Sequence, residues 1–278
     1  PEDFLSGGWR IPFLLSFVVI VAGVIIRRTV DETPVFEKEE AEGDKPKSPV
    51  VEAFKYSWPN MLRVCTMALM NTIPVVATVF GAAYGIEIPI SIYFWIPLLG
   101  NIVACAVIPF VGNLSDRIGR RPVIIGGCLL SGIASYAYLI MIQQGNVPGA
   151  IIASLVMWGA LYQGYNGVFP AYFPELFPAH TRVSGMAIAQ NTGTMITGAI
   201  VAPLFVAIAP PGSNVPLIVG SATLGICALA AFAAFNAKET YRLHVDDLGT
   251  DAVPPTKEEY ERLRNEAIAD YNLANAKV

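Results

Sequence analysis

Charge is the scarcest thing in this chain. Only 14% of its 278 residues are Asp, Glu, Lys or Arg, while 54% are hydrophobic and the mean hydropathy is +0.53. A soluble domain carries about 25% charge, so a water-facing globular surface is excluded. Histidine is rarer still: His180 and His244 stand alone in charged segments, which leaves them no ligand role. The four cysteines, Cys65, Cys105, Cys128 and Cys227, fall inside apolar runs without metal-type spacing and read as small packing residues. No metal or cofactor is implied, and no nucleic-acid partner. Within the apolar runs there is no Ser-His-Asp set, no His-Glu-x-x-His string and no carboxylate pair, so an enzyme is not expected.

What the chain has in abundance is uncharged length. A hydrocarbon core of about 30 Å needs roughly 20 apolar residues per helix, and lipid forces each segment to satisfy its own backbone. One run spans Ile11 to Ile26, closed by Arg27 and Arg28; others span Val64 to Ile86 and Ile88 to Ser115. The 53 uncharged residues from Pro122 to Pro174 break at Gln143-Gln144-Gly145-Asn146, and the 55 from Val183 to Ala237 break at Pro210-Pro211-Gly212-Ser213-Asn214. The fold class is therefore an all-α membrane protein with seven transmembrane helices and the lipid bilayer as its solvent. If the chain starts outside, the segments Arg27–Tyr56, Asp116–Arg121, Glu175–Arg182 and the tail from Lys238 hold 16 of the 18 Lys and Arg, which predicts a cytoplasmic C-terminus. Between Val64 and Ala237 the only other charge is Glu87 at an outer end, so no carboxylate or base sits at mid-membrane to carry a proton.

The densest cluster of charge within the apolar region is the string Gly112-Asn113-Leu114-Ser115-Asp116-Arg117-Ile118-Gly119-Arg120-Arg121, in a turn between two spans. It resembles the loop signature of the major facilitator superfamily of secondary transporters, which recurs after the second and eighth helices. Gly8-Trp9-Arg10-Ile11-Pro12-Phe13, Glu32-Thr33-Pro34-Val35-Phe36 and Pro174-Glu175-Leu176-Phe177-Pro178 resemble the metabolite:proton symporters within it. The resemblance implies that the seven spans correspond to helices 6–12 of a twelve-helix fold. On that reading residues 1–28 are the last helix of an N-terminal half, 29–57 a central cytoplasmic linker, 58–237 the C-terminal six-helix half and 238–278 a cytoplasmic tail. The implied function is secondary active transport of a small organic solute, an organic acid or a betaine- or amino-acid-like metabolite. It would cross the plasma membrane by alternating access with proton symport, and the coupling residues would lie in the missing N-terminal half. A non-transporting membrane sensor or scaffold with the same fold is the other reading.

Two sets of side chains carry the expected chemistry. Gly112, Asp116, Arg117, Gly119, Arg120 and Arg121, joined by Glu175 and Arg182, are expected to form a conformational latch. The two glycines would allow close backbone approach, and the charges would pair across an interface. Along ideal helices Trp158, Tyr162, Tyr165 and Asn166 share one face with Gln163 beside it, the expected wall of a substrate cavity. Gln190 and Thr194 share another face with Asn191 adjacent, while Asn71 with Thr78 and Tyr93 with Asn101 complete the lining. The competing role for each is core filler or helix-to-helix glue. Gly126, Gly127, Gly132, Gly159, Gly164, Gly167, Gly185, Gly193 and Gly198 are expected at close-packing positions. A short helix over Val50 to Ser57 and an amphipathic tail helix from about Lys257 to Asn272, opened by Thr256 with Glu259, are also predicted.

Overall fold

The computed structural model describes residues 7–8, 10–29, 48–80, 93–210, 212–250 and 252–275. Glu87 and the stretch 30–47, which holds much of the expected linker, lie outside them. The chain forms two compact units, Pro1–Lys45 and Pro46–Val278. The first contains α1, Arg10–Thr29, a 20-residue helix that ends on Arg27, Arg28 and a Thr29 hydroxyl donating to Ile25 O at 3.2 Å and Ile26 O at 3.0 Å.

The second unit is the helical bundle. A short helix α2, Pro49–Tyr56, leads into six helices long and apolar enough to cross a membrane: α3 (Trp58–Thr78), α4 (Trp95–Ile118), α5 (Arg120–Gln143), α6 (Val147–Glu175), α7 (Ala179–Ile208) and α8 (Val215–Asn236). A last helix, α9, runs Lys257–Asn275. No strand occurs among the described residues. The all-α expectation holds, and six helices, all in this unit, are long and apolar enough to cross a membrane; the expected span Ile11–Ile26 falls on α1, which is not among the six.

Both expected interruptions are helix starts of one design. Asn146 accepts the Gly149 N–H at 3.0 Å and Asn214 accepts the Leu217 N–H at 3.2 Å, each followed by Val-Pro in the first turn. The side chain satisfies an amide the helix cannot, and proline takes a position needing no donor.

Helices α5 and α8 are fastened at three levels. Arg121 Nε donates to Ala234 O at 3.1 Å, the Tyr136 and Ser221 hydroxyls meet at 2.9 Å, and Gln143 Nε2 donates to Ser213 O at 3.3 Å. On its other side α5 meets α6 backbone to backbone: a Cβ on Gly127 would lie 2.7 Å from Gly164 Cα. The close-packing expectation for Gly126 and Gly198 is corrected, since a Cβ at either would meet nothing within 4 Å; a Cβ on Gly112 likewise meets nothing within this unit. Coverage is uneven. Only 17% of the membrane stretch of α4 and 22% of that of α7 is buried, against 44 to 50% for the other four spans.

Three spans depart from α geometry. Helix α3 tightens into a 3₁₀ turn at Leu69–Asn71, and α6 and α7 widen into π turns at Leu155–Leu161 and Thr197–Val201. Beyond α8 the tail doubles back onto the bundle. The Tyr172 hydroxyl donates to Lys238 O at 2.6 Å, and Lys238 Nζ donates to Thr250 O at 2.7 Å. Gly249, with φ of +77°, lies so close to the Phe177–Pro178 peptide that a Cβ would sit 2.1 Å from Phe177 C. The opening of the tail is thus packed structure and not a solvated extension. The predicted cap is present at α9, where Thr256 Oγ1 accepts the Glu259 N–H at 3.3 Å.

Candidate functional site

The charged turn is built around Arg120. Its guanidinium donates to Ser115 Oγ at 2.8 Å, pairs with Asp116 in the last turn of α4, and reaches Glu175 at the end of α6 at 3.4 Å. Glu175 in turn accepts from the Thr240 hydroxyl. Four elements therefore converge on two carboxylates and one guanidinium: the end of α4, the start of α5, the end of α6 and the segment after α8. Asn60 of α3 adds a bond to Leu176 O at 2.7 Å.

Sequence reasoning missed the second anchor, Glu239. Its carboxylate accepts the backbone N–H groups of Arg120 at 2.9 Å and Arg121 at 3.0 Å. These are unpaired donors of the first turn of α5, where the helix dipole favours negative charge. Gly119 makes the approach possible: its φ is +108°, and a Cβ there would stand 2.7 Å from Glu239 Oε2. The signal was positional, because Glu239 is the first carboxylate after the last apolar run.

Not every expected member joins. Arg121 turns to the end of α8, bonding Ala234 O and Phe235 O and lying over the Phe235 ring at 5.4 Å. Arg182 donates to Phe177 O at 3.3 Å and makes no ion pair among the described residues. The Arg117 side chain is exposed and, among the described residues, neither hydrogen-bonded nor ion-paired.

The three irregular turns meet where α3, α6 and α7 come together, between a buried Tyr162, a half-buried Asn71 and an exposed Thr194. Asn71, closing the 3₁₀ turn of α3, accepts the Tyr162 hydroxyl at 3.2 Å and donates to Thr194 Oγ1 at 3.1 Å. Tyr162 follows the π turn of α6, and Thr194 precedes that of α7. The geometry thus gathers one polar residue from each of three spans where their α-helical ladders break. Non-α turns of this kind recur at functional sites.

The expected wall of four side chains on α6 is corrected. The Tyr162 N–H bonds to Met157 O, five residues back, at 3.0 Å, so the constant 3.6-residue period behind the reading is reset there. Tyr162 reaches α3 and α7. Tyr165 is fully buried, stacked on Phe169 with centroids 5.2 Å apart, and its hydroxyl has no partner among the described residues. Trp158 faces α4, where a Cβ on Gly100 would meet its ring at 3.2 Å. Gln163 is fully buried and ties its own helix, donating to Trp158 O at 2.8 Å and accepting from Asn166 Nδ2 at 2.8 Å.

The remaining lining candidates divide. Tyr93 and Tyr138 both donate to Ala77 O, Tyr138 at 2.9 Å, in the wide turn Val76–Phe80 of α3, and Thr78 bonds back to Pro74 O at 2.7 Å. Gln190 is half-buried. Asn101 on α4 and Asn191 on α7 are exposed and bond only their own helices, to Pro97 O at 2.9 Å and Ala187 O at 2.8 Å.

The family model of the Major Facilitator Superfamily matches residues 64–269, from α3 into α9. A proline/betaine transporter of Salmonella typhimurium is 30% identical over 219 residues, covering 71% of this chain and 42% of that protein. A putative metabolite transport protein of Haemophilus influenzae is 28% identical over 248 residues, covering 84% and 54%. The shikimate transporter of Escherichia coli is 27% identical over 203 residues, covering 71% and 46%. The chain spans about half the length of these curated relatives. No solved structure matches it. These relatives are carriers and not enzymes, and six apolar spans around a charged turn and an uncharged polar interior are what such a carrier is built from. The chain belongs to the Major Facilitator Superfamily.

Proposed function

We propose that these residues are the C-terminal half of a twelve-span carrier that moves a small organic solute across the plasma membrane by alternating access, coupled to protons. On this reading α1 is the sixth span and α3 to α8 are the seventh to twelfth. The tail and the charged turns face the cytoplasm, in keeping with the distribution of Lys and Arg. Relatives named for proline, betaine and shikimate suggest a zwitterion or organic acid as solute.

The observation that carries the proposal is the uncovered polar surface of α4 and α7. Polar residues facing lipid are costly, and Asn101, Asn191 and Thr194 lie exposed on the two least buried spans. A second half laid against them would cover them and enclose Asn71 and Tyr162 in a cavity between halves. Apart from Arg63, just inside the cytoplasmic end of α3, no charged residue occurs in the described interior of these spans, in keeping with a proton site in the other half. The Arg120–Glu175–Glu239 cluster would then bias the equilibrium between outward-open and inward-open states.

The test is uptake of labelled proline, betaine and shikimate by vesicles. The present chain co-expressed with the upstream half should take up one of them in proportion to an imposed pH gradient, and the present chain alone should take up none. Uptake by the chain alone at the same rate would overturn the half-carrier reading; uptake indifferent to the gradient would remove proton coupling.

A further inference from the structure

Outside the membrane stretches, the segment after α8 and the first turns of α9 enclose a cleft of about 500 Å³, within the range of small-molecule sites. Arg242, His244, Asp247, Val253, Leu263 and Arg264 line it. Its walls are apolar side chains left to solvent, Val253 at 85% and Leu263 at 48% exposed.

The cations in the cleft are unlike their neighbours. On α9 Lys257 pairs with Glu261 and Arg262 with Glu266, whereas Arg264 has no carboxylate partner among the described residues. Arg242 likewise has none, and its guanidinium rests on the Tyr241 ring at 4.6 Å. His244 Nδ1 accepts the Asp246 N–H at 3.4 Å and lies 3.7 Å from the Asp246 carboxylate. Among the lining residues two guanidiniums face one carboxylate, that of Asp247, with the Asp246 carboxylate beside His244 at the edge of the cleft.

We infer that this cleft binds a soluble organic monoanion, a carboxylate on an apolar body, held by Arg242 and Arg264 against the Val253 and Leu263 walls. The planar carboxylate matches the guanidinium fork. A dianion would meet Asp247 without compensation. The cleft begins two residues after Thr240, so the bound acid would also hold down the strap that carries Glu239 to the start of α5. The inference stands apart from the transport reading, because none of these residues belongs to the spans.

The probe is para-fluorobenzoate, added to the purified chain in phosphatidylcholine nanodiscs and followed by fluorine line broadening. Saturable binding is expected, with para-fluorobenzamide of the same shape roughly tenfold weaker or worse. Arg242→Gln and Arg264→Gln should each weaken benzoate binding by about the same factor, while Arg262→Gln leaves it unchanged. Near-ultraviolet circular dichroism matching the parent would show that the variants are folded. Equal binding of benzoate and benzamide, or insensitivity to both arginine substitutions, would sink the inference. Displacement by phosphatidylglycerol doped into the discs would reassign the cleft to a lipid headgroup and overturn the soluble-acid assignment.

Discussion

The carboxylate of Glu239 caps a helix that begins 119 residues earlier, accepting the Arg120 N–H at 2.9 Å. With Arg121 it satisfies two orphan amides of α5. Removing such a cap costs about 1 kcal/mol, and the charge near the dipole adds a few tenths more. Glu239→Ala should therefore lower the thermal midpoint in detergent and speed tryptic cleavage in the turn after Asp116, with Glu239→Gln lying between it and the parent. Parent-like cleavage in Glu239→Ala would mean that the strap does not hold the turn.

Gly119→Ala attacks the same contact from the other side. A side chain at φ of +108° is strained, at a cost of about 1–2 kcal/mol, and the new methyl would collide with Glu239 Oε2. Gly119→Ala combined with Glu239→Ala should be less destabilised than the sum of the two changes, since each removes the other's contact. Simple additivity in a thermal unfolding cycle would contradict the geometry.

Two tyrosines three residues apart make opposite predictions. Tyr162→Phe deletes a hydroxyl bonded to Asn71, which should cost about 0.5–1.5 kcal/mol and, in the assembled carrier, alter solute affinity. Tyr165→Phe deletes a buried hydroxyl with no partner among the described residues and should leave stability unchanged or raise it by up to about 1 kcal/mol. Tyr138→Phe should resemble Tyr162→Phe in stability, because its hydroxyl holds Ala77 O, while leaving solute affinity alone. Equal behaviour of Tyr162 and Tyr165 in both assays would erase the distinction.

Adjacent glycines offer a second contrast. Gly127→Ala should push α5 off α6 and cost about 1–3 kcal/mol, while Gly126→Ala meets open space and should gain slightly from helix propensity. Thermal scans of the two variants check this directly.

Topology is tested with cysteines at Asn146, Ser213 and Ile118. The first two should react with an impermeant maleimide in intact cells, and the third only after permeabilisation. Ile118 is chosen over Ser115 because Ser115 is 1% exposed, and silence there would say nothing. Labelling of Ile118 in intact cells would reverse the orientation.

The spans, their two internal breaks and the capped tail helix were all legible, because length, Asn-Val-Pro starts and charge punctuate an apolar sequence plainly. The charged turn was legible as a motif, but which of its charges pair with each other was not. Glu239 was not, since its target is remote in sequence and reached only once α5 and α8 lie side by side. The split of the expected wall on α6 was not legible either. Nothing in Leu155–Leu161 announces a π turn, and a single extra residue is enough to send Tyr162 toward α3 and Tyr165 into an aromatic core. Gly126 failed for a different reason: a glycine signals permission to approach, not the presence of a neighbour.

Bonds at Arg121, Tyr136 and Gln143 run the length of α5 and join it to α8 at the bottom, middle and top. A pair riveted at three heights bends and slides as a single beam. Any rocking of this unit must therefore be absorbed elsewhere, by α3, α6 and α7, whose ladders are already interrupted where Asn71, Tyr162 and Thr194 meet. The bundle divides mechanically into a stiff spar and three jointed rods, with the polar contact lying at the joints.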